Sequence, residues 1–119
     1  MISKKWFEQL IDYLNLVDEQ YVDLSVKKNL NNTEKILATL SCYMEETWEL
    51  SAEIRKSLEL SFSQKKVDSF KKEDLEDEIF DNLFMILFLS KTLGVENLDE
   101  LIERKIQKNK DRWYWIDNK

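Results

Sequence analysis

The stretch DEIFDNLFMILFLSKTLG, residues 77–94, decides the fold of this chain. Every residue from Leu83 to Leu89 is apolar, and a helix that is apolar around its whole circumference is typically buried on all sides. This run of seven residues is too short to cross a membrane, which takes about 20. Gly94 suits the position just past a helix C-terminus. We therefore predict a buried helix from about Lys72 to Leu93.

The composition indicates an all-α protein. Its 119 residues include no proline and one glycine, and 35% of them are charged. Leu, Glu and Lys are abundant and favour helices, and almost nothing is present to interrupt them. A chain of this length can bury a core of its own, so we predict one domain over residues 1–119 with a four-helix bundle-like fold.

Apolar residues that recur at three- and four-residue spacing predict the other helices. The first runs from Ser3, a candidate N-cap, to about Val26. The second covers about residues 34–60, with Thr33 as its candidate cap. Residues 61–71 lack a sustained period and are predicted to be a connection with room for a short helical turn. The last helix runs from Asn97, its candidate cap, to about Trp113.

The composition also excludes several kinds of function. The chain has no histidine, which excludes Ser-His and Cys-His catalysis and His-ligated zinc sites. A net charge of −6, with no long basic run, makes duplex nucleic acid a poor partner. The single Cys42 excludes an internal disulfide framework, and the N-terminus does not have the pattern of a signal peptide. We therefore expect a soluble, cytoplasmic protein with no membrane partner.

Two acidic pairs at i, i+3 spacing, Glu46 with Glu49 and Glu78 with Asp81, are candidate metal ligands. Residues at this spacing are offset by about 60° around a helix and about 4.5 Å along it, so their carboxylates can share one cation. Two such helices side by side would present four carboxylates to one point. The spacing alone is a weak signal, because it recurs at Glu73/Glu76, Asp74/Asp77, Glu96/Asp99 and Glu100/Glu103.

The two pairs differ in their surroundings. Glu78 and Asp81 share a helical face with apolar residues of the buried run, and carboxylates at the edge of a core are costly unless they are paired or bind metal. This favours the metal interpretation slightly for that pair. Glu46 and Glu49 lie off the apolar stripe of their helix, where an ordinary solvent-facing surface is an equally good interpretation.

A basic cluster on the last helix is a candidate anion site. Lys105, Asn109 and Arg112 follow one another at i, i+4 and i+7 and lie within about 60° on one face. Either they form salt bridges to the excess acid, or they hold the anionic part of a ligand whose other charges are bridged by metal. Trp48, beside Glu49, is either a core or interface filler or a group that stacks on a base.

With these three elements in order, the sequence resembles the all-α nucleoside triphosphate pyrophosphohydrolase superfamily, the MazG-like and dCTP/dUTP pyrophosphatase group. The similarity covers about residues 35–113. The family's ExxE, ExxD and Lys-x3-Asn-x2-Arg-aromatic patterns correspond to Glu46-Thr47-Trp48-Glu49, to Glu78-Ile79-Phe80-Asp81, and to Lys105, Asn109 and Arg112 followed by Trp113. A small residue often stands in the family at the position of Trp48, and an aliphatic residue at that of Asn82.

The resemblance implies a MazG-like fold, assembly as a homodimer or homotetramer, and hydrolysis of a nucleoside triphosphate to the monophosphate and pyrophosphate. The catalytic and metal-binding residues would be Glu46, Glu49, Glu78 and Asp81, holding Mg²⁺ or, alternatively, Mn²⁺. The substrate-binding residues would be Lys105, Asn109, Arg112, Trp48 and Asn82. House-cleaning of non-standard or excess nucleotides is a role that such an activity would serve.

Two other functions compete with this one. A non-catalytic helical dimerisation or adaptor module would use its acidic faces to bind a basic protein partner. A di-iron or metal-storage bundle is disfavoured, because such bundles take Glu-x-x-His ligands and this chain has no histidine.

Overall fold

The computed structural model describes residues 4–112, which form helices without any strand. The all-α prediction is thereby confirmed for this range. The five helices are α1 (Lys4–Lys27), α2 (Asn32–Ser57), α3 (Gln64–Asp68), α4 (Lys72–Thr92) and α5 (Leu98–Arg112). The short α3 lies in the segment that was predicted to be a connection. Ser3 and Trp113, the predicted ends of the first and last helices, lie outside the described residues.

The structure corrects the start of the second helix. Asn31, not Thr33, is the N-cap of α2, and its side chain accepts a hydrogen bond from the backbone N–H of Glu34 at 2.8 Å. The Glu34 side chain in turn accepts from the Asn31 backbone N–H at 3.1 Å. This reciprocal pair satisfies two helix-end donors at once, which Thr33 could not do. Asn97 caps α5 as predicted, accepting from the Glu100 N–H at 3.0 Å.

Three helices end in the same way, with one residue in the left-handed region. Gly94 (φ 89°) follows α4 as predicted, Asn29 (φ 53°) follows α1, and Glu59 (φ 57°) follows α2. In each case the backbone N–H of that residue and the N–H of the residue after it donate to carbonyls of the last helical turn, the arrangement of a Schellman motif. Glu59 is the costly member, because a side chain there crowds its own backbone.

The best-packed pair of helices is α2 with α4, and the two run antiparallel. Asn82 of α4 donates a hydrogen bond to the carbonyl of Glu46 in α2. The C-terminal end of α4 lies near the start of α2, because Tyr21 of α1 contacts both Phe88 and the Lys35 carbonyl. On another side of α4, α1 packs through Leu10 and Leu14, which are buried. Tyr rings of α1 contact a row of Phe rings on α4.

The expectation that the apolar run of α4 is buried on all sides is wrong for the single chain. Phe88 and Leu89 are buried, but Leu83 and Ile86 each remain 40% exposed. The reason is that only α1 and α2 pack along α4, while α5 forms no extended contact with α1, α2 or α4. The radius of gyration is 18.2 Å, against about 13 Å for a globular domain of this length. Among the described residues, no helix combines the length and the apolar character that a membrane span requires.

Candidate metal centre

Glu46, Glu49 and Glu78 converge at the junction of α2 and α4. Glu46 and Glu49 are one turn apart on α2, and the antiparallel packing places Glu78 opposite them. One carboxylate oxygen from each of the three lies within 4.8 Å of the others. Ligand oxygens around an octahedral Mg²⁺ are roughly 3 to 4 Å apart, given metal–oxygen distances of about 2.1 Å. Three carboxylate oxygens this close together could be ligands of one metal ion.

Two carboxylate oxygens at this junction are buried without a hydrogen-bond partner in the described part of the chain. The Oε2 atoms of Glu46 and Glu78 are shut off from solvent and accept no hydrogen bond from the described residues. An ionised oxygen in this position has lost its hydration and gained nothing in exchange, which is unfavourable. A proton or a cation would relieve that cost. The donor set, carboxylate oxygens alone, suits a hard divalent cation.

The electrostatics of the junction are those of crowded like charges. Partial burial, followed by the charges of Glu49, Asp81 and Glu78, raises the pKa of Glu46 to about 7. Burial, then Glu49 and Asp81, also raises the pKa of Glu78. A proton on Glu46 would let it donate to Glu78, which contributes to the higher pKa of Glu46 and opposes the rise at Glu78. Near neutral pH this cluster therefore takes up a proton readily.

Asp81 lies beside the three glutamates without joining their close group. Its pKa is raised by burial, then by Asp77 and Glu49, and its charge in turn raises the pKa of Glu46 and of Glu78. The predicted site of four carboxylates thus consists of three that converge and one alongside. The role of Asp81 as a metal ligand stays a prediction.

Glu53 is a member of this surface that the sequence interpretation left out. Its Oε1 pairs with Lys56 Nζ at 2.8 Å, and its side chain is only 13% exposed. Its Oε2 is buried and accepts no hydrogen bond within residues 4–112, and its charge contributes to the raised pKa of Glu78. The signal was present in the sequence, because Glu46, Glu49 and Glu53 at i, i+3 and i+7 define one helical face.

Asn82 lies at the centre of the junction but bonds to backbone, not to carboxylates. Its Nδ2 donates to the carbonyl of Glu46 at 2.9 Å and to that of Glu78 at 2.8 Å. Its Oδ1 accepts from the Thr47 hydroxyl at 3.2 Å. A direct contact with a nucleotide, as the sequence predicted, is not tested by these bonds.

Trp48 is not a core residue, since 69% of its surface is exposed. The Arg55 guanidinium lies 5.7 Å from the centre of its ring, within the range of a cation–π contact. Of the roles considered from the sequence, those of interface filler and base-stacking group remain.

The structure does not bring the basic cluster to the acidic junction within one chain. Lys105 and Arg112 are exposed on α5 and Asn109 is half-buried. No hydrogen bond or ion pair among the described residues joins these three to α2 or α4, and the ion pairs that are present there involve Lys56 and Lys91. The alternative in which Lys105 and Arg112 neutralise the excess acid is therefore not seen in the described range.

Comparisons with known protein families, with curated proteins and with solved structures found no match for the chain.

Proposed function

We propose that this chain is a Mg²⁺-dependent nucleoside triphosphate pyrophosphohydrolase of the MazG-like kind, converting a nucleoside triphosphate and water to the monophosphate and pyrophosphate. The observation that carries the proposal is the convergence of oxygens from Glu46, Glu49 and Glu78 within 4.8 Å. The unpartnered buried oxygens of Glu46 and Glu78 support it, and so does the order of the three sequence patterns.

In this proposal Glu46 and Glu49 of α2 and Glu78 of α4 would hold the cation beside the phosphates of the substrate. A bound Mg²⁺ would supply Lewis acidity at the phosphate and orient the attacking water. Asp81, which lies beside the three glutamates, accepts a proton from the attacking water. At the same time the water oxygen bonds to the α-phosphorus. The bond from the α-phosphorus to the bridging oxygen breaks, and pyrophosphate leaves.

The basic residues enter the proposal through a second copy of the chain. Lys105, Asn109 and Arg112 lie on a helix that forms no extended contact with α2 or α4, so we propose that they approach the phosphates of a partner's site in a homodimer or homotetramer. Exposed apolar side chains on α4, Leu83 and Ile86 among them, give such an assembly a surface to bury.

The test is pyrophosphate release from the canonical ribo- and deoxyribonucleoside triphosphates and dUTP, with Mg²⁺, Mn²⁺ or EDTA. We expect activity that needs metal and is lost in Glu49→Gln. Glu45→Gln is the matched control, because Glu45 is an exposed neighbour on α2 outside the converging group. The preferred triphosphate would identify the base and sugar of the substrate. Activity that persists in EDTA, or that survives Glu49→Gln, would contradict the proposal.

The adaptor function is the second candidate, and the apolar surface of α4 is the observation in its favour. It predicts that Glu49→Gln and Glu78→Gln leave partner binding intact, whereas Leu83→Asp abolishes it. Metal-dependent pyrophosphate release by the unmodified chain would reject it as the sole function.

A further inference from the structure

We propose that Asn82 is a positioning residue that holds α2 and α4 at the separation the cation site requires. This inference rests on the proposed function, since it assigns a role in the same centre. The residues it joins are themselves part of that centre, because the two carbonyls that accept from its amide belong to Glu46 and Glu78.

The amide uses its full set of donors at this junction. A primary amide has two N–H groups and one acceptor oxygen. One N–H crosses to α2, at 2.9 Å from the Glu46 carbonyl, and the other returns to the Glu78 carbonyl of its own helix at 2.8 Å. Both acceptors are backbone atoms, so the link fixes the helices without neutralising any carboxylate.

The cross-link opposes a force that the site itself creates. Glu46 and Glu49 on α2 face Glu78 on α4, and like charges at this distance push the two helices apart. A wider separation of the two helices would leave the glutamate oxygens too far apart to share one cation, which takes its oxygen ligands at about 2.1 Å. Some residues do not touch the metal but form hydrogen bonds to its ligands and orient them. Removing such a residue commonly weakens metal binding by about 10- to 100-fold.

Thr47 adds a weaker third contact. Its hydroxyl donates either to Asn82 Oδ1 at 3.2 Å or to the Tyr43 carbonyl at 2.9 Å, and it has one hydrogen for the two acceptors. Among the described residues, the side-chain hydrogen bonds between α2 and α4 are those of Asn82 with Glu46 and Thr47.

The matched control is on the same helix. The hydroxyl of Thr92 donates at 3.0 Å to the Phe88 carbonyl, four residues earlier, as Asn82 does to Glu78. It makes no hydrogen bond to α2 in the described range. Thr92→Val therefore removes an equivalent bond within α4 without removing the cross-link.

The first experiment titrates the full chain with Mn²⁺ alone by calorimetry. We expect Asn82→Ala, which keeps a strong helix former in α4, to bind Mn²⁺ about 10-fold more weakly or worse. Thr92→Val should bind like the unmodified chain, and Thr47→Val should lie between them. In the Asn82→Ala background, Thr47→Val should have no further effect, because the Asn82 oxygen that accepts from Thr47 across the two helices is already gone.

A second experiment measures helix separation in EDTA, without metal. Spin labels are placed on Cys42, the single native cysteine, and on Glu76→Cys, an exposed position of α4, in chains diluted with unlabelled protein. We expect the distance between the labels to increase or broaden in Asn82→Ala and to stay unchanged in Thr92→Val.

The outcomes separate this inference from the proposed function. Mn²⁺ binding that is equally tight in the unmodified chain and in Asn82→Ala would overturn the inference and leave the metal centre standing. A label distance that Asn82→Ala does not change would overturn it as well. No Mn²⁺ binding by the unmodified chain would overturn the proposed function, and with it the metal-positioning role of Asn82.

Discussion

The junction of α2 with α4 and the basic face of α5 are built from similar sequence signals but differ in what holds them. At the junction, side chains at three-residue spacing are locked opposite one another by antiparallel packing and by the Asn82 bonds. On α5, Lys105, Asn109 and Arg112 share a face, yet no other described helix packs along it. Residue spacing along one helix places side chains on one face of it. A binding site forms only where a second helix packs against that face.

The largest effect is expected at the junction. Glu78→Gln removes one of the three converging ligands, so metal-dependent pyrophosphate release should fall by about 100-fold or more. The same change removes a crowded negative charge, so the melting temperature in EDTA should rise while the increase produced by Mg²⁺ disappears. Activity assays and thermal scans of this variant measure both effects.

Glu76→Gln is the control for that pair of opposite effects, since Glu76 is an exposed acidic residue of α4 outside the close group. A drop in the metal-free melting temperature of Glu78→Gln would show that the negative charge of Glu78 does not destabilise the folded chain.

The second prediction concerns the basic face of α5 and tests whether it contributes to the site at the junction of α2 with α4. Lys105→Ala should raise KM for the triphosphate about 10-fold by removing a phosphate contact, while Mn²⁺ affinity stays unchanged. If α5 serves a partner's site, a mixture of inactive Glu49→Gln and weak Lys105→Ala chains should regain activity. For a dimer that exchanges freely, about a quarter of the sites would carry neither change.

The control for the mixture is each variant mixed with itself under the same conditions. Activity equal to the sum of the separate variants would place Lys105 in the site of its own chain or outside the site altogether.

A third prediction follows from the pKa of Glu46, which is raised from 4.5 to about 7. The folded chain binds this proton more tightly than the unfolded chain, so folding stability is highest below the ordinary pKa and falls as pH rises through the folded value. Thermal scans in EDTA should show the melting temperature falling between about pH 5 and pH 7.5. Saturating Mg²⁺ should reduce that fall, because the cation takes the place of the proton.

Glu46→Gln is the variant that checks the assignment of the pH effect. It should flatten the fall in melting temperature, and a profile as steep as that of the unmodified chain would mean that other groups cause it.

The smallest effect is expected far from both regions, at the end of α2. Glu59 has a φ of 57°, a conformation that costs a residue with a side chain roughly 1–2 kcal/mol. Glu59→Gly should therefore raise the melting temperature by about 4–8 °C. Asn29→Gly should raise it less, because Asn tolerates this conformation, and equal gains at the two positions would contradict that reason.

The elements of this fold could be predicted from the sequence more fully than their contacts could. The long helices, the N-cap at Asn97 and the helix end at Gly94 follow from local sequence patterns, which need no information about neighbouring helices. The Asn31 capping box was missed, because Thr33 offered a cap by residue type alone, whereas the reciprocal bond with Glu34 needs both partners.

For the candidate site, the sequence indicated which residues carry acid but could not give their separations. The rotation of α4 against α2 decides which carboxylates converge, and no pattern along a single helix specifies it. It brings Glu46, Glu49 and Glu78 together and leaves Asp81 alongside. The cross-link by Asn82 also depends on the facing helix, because its acceptor on α2 is the carbonyl of Glu46. The exposure of Leu83 and Ile86 likewise depends on how many helices pack along α4.

The most direct test of the metal centre is anomalous diffraction from crystals of the unmodified chain grown with Mn²⁺. We predict a peak at the junction of α2 and α4, with oxygens of Glu46, Glu49 and Glu78 at about 2.1 Å from it. A crystal saturated with Mn²⁺ that shows no peak there, or shows one bound by other carboxylates instead, would contradict it.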